Sequence, residues 1–109
     1  MLEFKIIVPA GYNVQNIFND NIDLNIILPD GTVFFTTFFT LKNIQTLIED
    51  ELYFWSTDMV IVKDLKKETI KKAVTQIIKD GYVELSFSKI GTIETIYFKK
   101  KYEEIEDSF

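Results

Sequence analysis

Residues 22–39, IDLNIILPDGTVFFTTFF, decide the fold. Ile22, Leu24, Ile26 and Leu28 alternate with Asp23 and Asn25, the period-two pattern of a strand with one buried side. Pro29-Asp30-Gly31 then reads as a turn. Proline presets φ, aspartate accepts local backbone bonds and glycine takes a positive φ. Thr32 to Phe39 is β-branched and aromatic, and forms the return strand. Phe34, Phe35, Phe38 and Phe39 point alternately to both sides of the sheet. Helices can cover only one side of a two-layer fold, so the other side is expected to show aromatic surface.

Outward from this hairpin, Leu2 to Val8 reads as an earlier strand with Leu2, Phe4 and Ile6 on one face, ended by Pro9-Ala10-Gly11. Residues 12–21 are Asn-rich and aperiodic. Asn13 is a candidate cap for a short turn holding Val14, Ile17 and Phe18. After the hairpin, Thr40 caps a helix from about Leu41 to Asp50, with Leu41, Ile44, Leu47 and Ile48 on one face. Met59 to Val62 is apolar on both faces and is expected in the middle of the sheet. Asp64 caps a second helix, about Leu65 to Lys79, whose Ile70, Ala73, Val74, Ile77 and Ile78 follow helical spacing. Asp80-Gly81 stops it. Tyr82 to Ser88 and Thr92 to Phe98 form a second hairpin across Lys89-Ile90-Gly91, and the charged tail 99–109 is expected to fray. The order is β-β-β-α-β-α-β-β. It predicts one α+β domain over residues 1–109, a two-layer fold with a largely antiparallel sheet and two helices on one face.

Composition bounds the function. The chain has 109 residues, 47% of them hydrophobic, enough for a core without disulfides or metal. It has no cysteine and no histidine, and all 12 basic residues are lysines. Disulfides, thiolate chemistry, Cys–His pairs and His-based triads are therefore excluded. The abundance of isoleucine, lysine and asparagine points to a low-GC bacterial genome. No apolar run approaches ~18 residues, which argues against a membrane partner. The start lacks the basic and long apolar regions of a secretory signal, and with the missing cysteines this predicts a cytoplasmic protein. Net charge is −5: residues 1–62 carry −6, residues 63–80 carry +3 and residues 81–109 carry −2. A mostly acidic body disfavours nucleic acid, whose phosphates need basic neutralisation, and suits a basic protein partner.

The remaining constellations are weighed against plain structural roles. A serine–lysine dyad has Ser56, Ser86, Ser88 and Ser108 as candidates, none in a recognisable motif, and these read as strand and turn serines. Asn19, Asp20, Asn21 and Asp23 offer oxygens, but the spacing does not fit a calcium loop, because Asn25 stands where glycine is needed and Gly31 where glutamate is needed. Glu49, Asp50, Glu51 and Asp58 are close in sequence, with no sign of a shared cleft. The four glycines all fall in turns, so no phosphate loop exists. No catalytic residue, metal ligand or cofactor is expected. Lys66, Lys67, Lys71, Lys72 and Lys79 line one side of the second helix, and read as a solvated face rather than an anion site.

The segment Tyr53-Phe54-Trp55-Ser56-Thr57-Asp58 holds the sole tryptophan. Some of these rings are expected in the core. An exposed Tyr53 or Trp55 would instead be an interface anchor, since these side chains dominate binding hot spots. The runs LPDG (28–31), FFT-LKNIQ-LI (38–48), YFWSTDMVIVKDL (53–65) and ETI (68–70) resemble small uncharacterised bacterial α+β proteins, some of them associated with toxin–immunity loci. The resemblance covers roughly residues 26–80. The longer connection that such proteins carry between the first helix and YFW is nearly absent here. It implies a small binding protein of the immunity type that blocks a toxin. The expectation is a non-enzymatic protein-binding module contacting a partner through Asp20, Asp23, Asp50, Glu51, Tyr53, Trp55 and Asp58. The alternative is a homo-oligomeric structural or regulatory domain joined through the aromatic sheet face. An enzyme is a third reading and needs an apolar pocket with convergent polar groups.

Overall fold

The computed structural model describes residues 3–9, 14–94 and 102–107. Its frame is the expected hairpin. Strand β2 (Asn21–Ile27) pairs antiparallel with β3 (Thr32–Thr40), with Ile22 opposite Phe38 and Ile26 opposite Phe34. The turn closes as its residues dictate. The Gly31 amide donates to the Leu28 carbonyl at 2.9 Å, the Asp30 carboxylate accepts from the Thr32 amide at 2.9 Å, and Gly31 sits at φ 87°. That φ is one that only glycine adopts freely.

Strand β1 (Lys5–Pro9) adds to β2, and β6 (Tyr102–Glu104) adds to β1, both antiparallel. Residues 102–107 therefore do not fray as expected of the tail: β6 pairs with β1, and Ile105, in the 3-10 turn Ile105–Asp107, is buried. On the other side β3 has two short partners. Strand β4 (Met59–Val62) runs parallel to residues 37–40 of β3, and β5 (Ser88–Thr92) runs antiparallel to residues 32–35. The sheet order is β4-β3-β2-β1-β6 with β5 also on β3, so among the described residues the sheet has six strands and one parallel pair.

Helix α1 (Leu41–Ile48) connects β3 to β4, and α2 (Lys67–Lys79) follows β4. Helix α2 makes the second layer. Its Ile70 and Val74 are buried, with Ala73, Ile77 and Ile78 packed beside them. Beneath lie Ile6, Val8, Ile22, Leu24, Ile26, Phe34 and Phe38, all from the same side of the sheet. At its end the Gly81 amide reaches the Ile78 carbonyl and the Tyr82 amide reaches the Ile77 carbonyl, with Gly81 at φ 75°. This is the paired closure that a left-handed glycine permits. Asp64 stands two residues before the cap position, Lys66, and its carboxylate accepts from the Lys66 amide at 3.0 Å.

Three expectations are corrected. Met59–Val62 is an edge strand, not a central one, because a parallel crossover from β3 sets it outside β3 and no strand follows it there among the described residues. Tyr82–Ser88 is not a strand. Residues Val83–Ser86 form a single helical turn, α3, which sends Val83 and Phe87 to the core one turn apart and leaves Leu85 outside. The expected turn at Lys89-Ile90-Gly91 lies within β5. Residues 14–20 form a connecting loop with one hydrogen-bonded turn at Ile17–Phe18, where the Asn19 amide donates to the Asn16 carbonyl at 3.0 Å and Phe18 is exposed; Asn13 lies outside the described residues. The expected strand Thr92–Phe98 falls mostly outside the described residues.

The far side of the sheet is not the open aromatic face expected from the sequence. Of the two phenylalanines on that side, Phe39 is buried and Phe35 is half-buried; Ile7, Val33 and Thr37 beside them are buried as well, while Phe34 and Phe38 face α2. Exposed apolar side chains lie around α1 and β4, and in a second group at Tyr82, Leu85, Ile90 and Ile93.

Candidate functional site

The crossover from β3 to β4 begins at a well-made cap. The Thr40 hydroxyl accepts from the Asn43 amide and from the Asp20 amide, each at 3.2 Å. Asn43 extends the joint, since its side-chain oxygen accepts from the Asn21 amide group at 2.9 Å. Helix α1 starts firmly, yet it buries none of its residues. Leu41 and Leu47 are exposed, while Ile44 and Ile48 are half-buried. The apolar stripe is real; it is not spent on the core.

The connection 49–58 is held at two points. Phe54 packs edge-on against Phe39, ring centroids 5.5 Å apart. At the far end the Asp58 carbonyl accepts from the Thr37 amide at 3.1 Å and from the Thr36 hydroxyl at 2.7 Å. Asp58 sits at φ 56°, and among the described residues it alone takes a positive φ without being glycine. Such conformations cost free energy, and aspartate tolerates them better than most residues. Between these anchors the large side chains face out. Leu52 is 97% exposed, Tyr53 and Trp55 are each 70% exposed, and Ile61 on β4 follows at 52%. Glu49, Asp50 and Glu51 are exposed beside them. Residues 41–62 carry four acids against the single Lys42. Acids are unfavourable at the C-terminal end of a helix, so helix stability does not explain their place.

Of the seven expected contact residues, Asp50, Glu51, Tyr53, Trp55 and Asp58 all lie on the connection 49–58. Asp20 and Asp23 have internal work instead. The Asp20 carboxylate accepts from the Asn21 amide at 2.8 Å, and its main chain bonds Thr40. The Asp23 carboxylate accepts from the Thr37 hydroxyl at 2.8 Å, a cross-strand tie. Sequence reasoning missed Leu41, Leu47, Leu52 and Ile61. The first two belong to an amphipathic pattern that is the same whether the helix faces a core or a partner.

The lysine side of α2 is partly neutralised within the chain. Lys71 pairs with the Glu106 carboxylate, and the Lys67 ammonium donates to the Glu106 carbonyl at 3.4 Å. Lys71 holds the Glu106 carboxyl below its ordinary range. An open groove of about 560 Å³ runs along the start of α2, where Lys63, Lys66 and Lys72 are interleaved with Asp64 and Glu68. The Thr69 hydroxyl and the Lys66 amide hold the Asp64 carboxyl below its usual range. It is therefore ionised at neutral pH and serves the helix start. No group of three or more Asp or Glu residues is placed to hold a metal ion among the described residues. No helix among the described residues is long and apolar enough to cross a membrane. Comparison with protein-family models, with curated proteins and with solved structures returns no match.

Proposed function

We propose that this chain is a non-enzymatic protein-binding module that acts in the cytoplasm, and that its contact surface is the α1–β4 connection. The observation that carries the reading is the state of Trp55 and Tyr53. Both are 70% exposed, although Phe54 between them is half-buried and packs edge-on against Phe39, fixing the segment. Leaving these rings in water on an anchored segment costs the folded chain a burial gain that a partner would recover. Amphipathic aromatics of this kind are the side chains that dominate interface energetics.

The flanking acids choose the partner's chemistry. Asp50, Glu51 and Asp58 favour a protein with a basic rim around an apolar pocket, and charge of this sort raises the association rate. An immunity-type inhibitor seated on a basic toxin is the specific form of this reading, and it rests on the sequence resemblance. The homo-oligomer joined through the aromatic sheet face is the weaker reading, because of the two phenylalanines on that side Phe39 is buried and Phe35 half-buried.

The test is affinity isolation of the tagged chain from its native host, followed by binding measurements with the purified partner. The expected result is one stoichiometric basic protein. Trp55→Ala should weaken binding by at least ~2 kcal/mol, about 30-fold, and added salt should slow association. Binding unchanged by Trp55→Ala combined with Asp58→Lys would remove the surface from consideration.

A further inference from the structure

Strand β4 is an unguarded edge. Folded chains protect terminal strands with charges, proline or bulges, because a free row of amides and carbonyls invites another strand. The other two outer strands follow that rule. Strand β6 carries Glu103 and Glu104, the latter paired with Lys5 at 3.3 Å, and β5 carries Lys89. Strand β4 reads Met-Val-Ile-Val, with no charge and no proline.

Its backbone orientation follows from one bond. The Thr37 amide donates to the Asp58 carbonyl, so the main chain of Asp58 turns toward β3. Backbone groups alternate along a strand, so those of Val60 and Val62 also turn toward β3. Those of Met59 and Ile61 turn outward, where no strand pairs with them among the described residues.

We infer that β4 pairs antiparallel with β4 of a second copy of this chain, about a two-fold axis at Val60. The register is selected by hydrogen bonding and by charge. Antiparallel pairs alternate between hydrogen-bonded and non-bonded positions, so a two-fold axis must fall on a residue rather than between two. With the axis at Val60, Met59 lies opposite Ile61 of the second copy, and the reverse. Both outward pairs then exchange both of their bonds, four in all. Every residue of Met59–Val62 except the last meets an apolar residue, and Val62 meets Asp58. With the axis at Ile61, Asp58 would face Asp64 of the second copy twice, a like-charge contact that destabilises a ladder. With the axis at Met59, Ile61 would face Thr57 and Val62 would face Ser56, so apolar contact is lost. Ile61 is the residue whose exposed side chain gains most, since it meets Met59 on the same side of the sheet. A closed two-fold pairing of this kind is the commonest route to a dimer. The contact is short, so the dimer is weak and concentration-dependent.

The inference does not rest on the basic-partner reading, because it is measured on the purified chain alone. Sedimentation equilibrium over a series reaching millimolar chain, with hydrogen exchange at the low and high ends, tests it. The expected result is a mass rising from monomer toward dimer, with the Met59 and Ile61 amides protected only at high concentration. Ile61→Lys, an exposed site that leaves the core intact, should stay monomeric and keep its unfolding midpoint. A wild-type monomer throughout the series overturns the inference. So does a dimer that survives Ile61→Lys, or one that leaves the Met59 and Ile61 amides exchanging freely.

Discussion

Three side chains set the behaviour of the α1–β4 side, each for a separate physical reason. Thr40 is buried, and its hydroxyl is the acceptor for two amides. Thr40→Val keeps the shape and leaves both amides unpaired. It should cost about 1–3 kcal/mol in equilibrium unfolding. Asp58 holds a left-handed backbone at the end of the connection. Asp58→Gly should leave stability unchanged or slightly raised, whereas Asp58→Val should lower it by roughly 1–2 kcal/mol. Equal effects of the two would show that backbone strain is not the issue. Asp64 governs the acid limit at the start of α2. Its carboxyl is depressed in the folded chain, first by the Thr69 hydroxyl. The stability it contributes is present above its ordinary value of 3.8 and is lost as pH falls through the lower, folded value. Urea titrations from pH 7 downward should show wild type losing stability below about pH 4, and Asp64→Asn losing less over the same window.

The elements divide according to what their apolar faces touch. Helices α1 and α2 carry equally regular stripes, yet α2 buries Ile70 and Val74 and α1 buries nothing. Ile70→Ala should cost about 2–5 kcal/mol. Leu47→Ala should change stability by no more than ~0.5 kcal/mol. This contrast also marks how far the sequence could be read. The hairpin of β2 and β3 was legible because turn chemistry and alternation agreed. The cap at Thr40 and the stop at Gly81 were legible for the same local reason. The fate of α1 was not, since periodicity reports that a helix has an apolar face and is silent about what meets it. Strand β4 misled for a related reason. A run apolar on both faces describes a central strand and an unguarded edge equally well. At residues 82–88 the side chains of Val83, Leu85 and Phe87 alternate, but the pairing of Val83 with Phe87 across one helical turn won.

At the scale of the whole molecule, the described residues show a closed core between α2 and the sheet and exposed apolar side chains outside it. Helix α2 and the sheet close the core, and the acidic segment at Glu106 answers part of the lysine stripe. Around α1 and β4, large apolar side chains remain in water beside the exposed Glu49, Asp50 and Glu51. Five of the seven expected contact residues gather there because chain order already placed them in one connection. Asp20 and Asp23 stand apart from that connection, and the tie between the Asp23 carboxylate and the Thr37 hydroxyl, 14 positions away in the chain, leaves no local trace in the sequence. Trp55 is the sole tryptophan, so its emission reports this surface alone. Acrylamide quenching of the native chain at low micromolar concentration is the decisive measurement. An exposed Trp55 should give a red-shifted emission, quenched nearly as readily as in the urea-unfolded chain. A blue-shifted emission that acrylamide barely reaches would place Trp55 in a core and contradict that exposure.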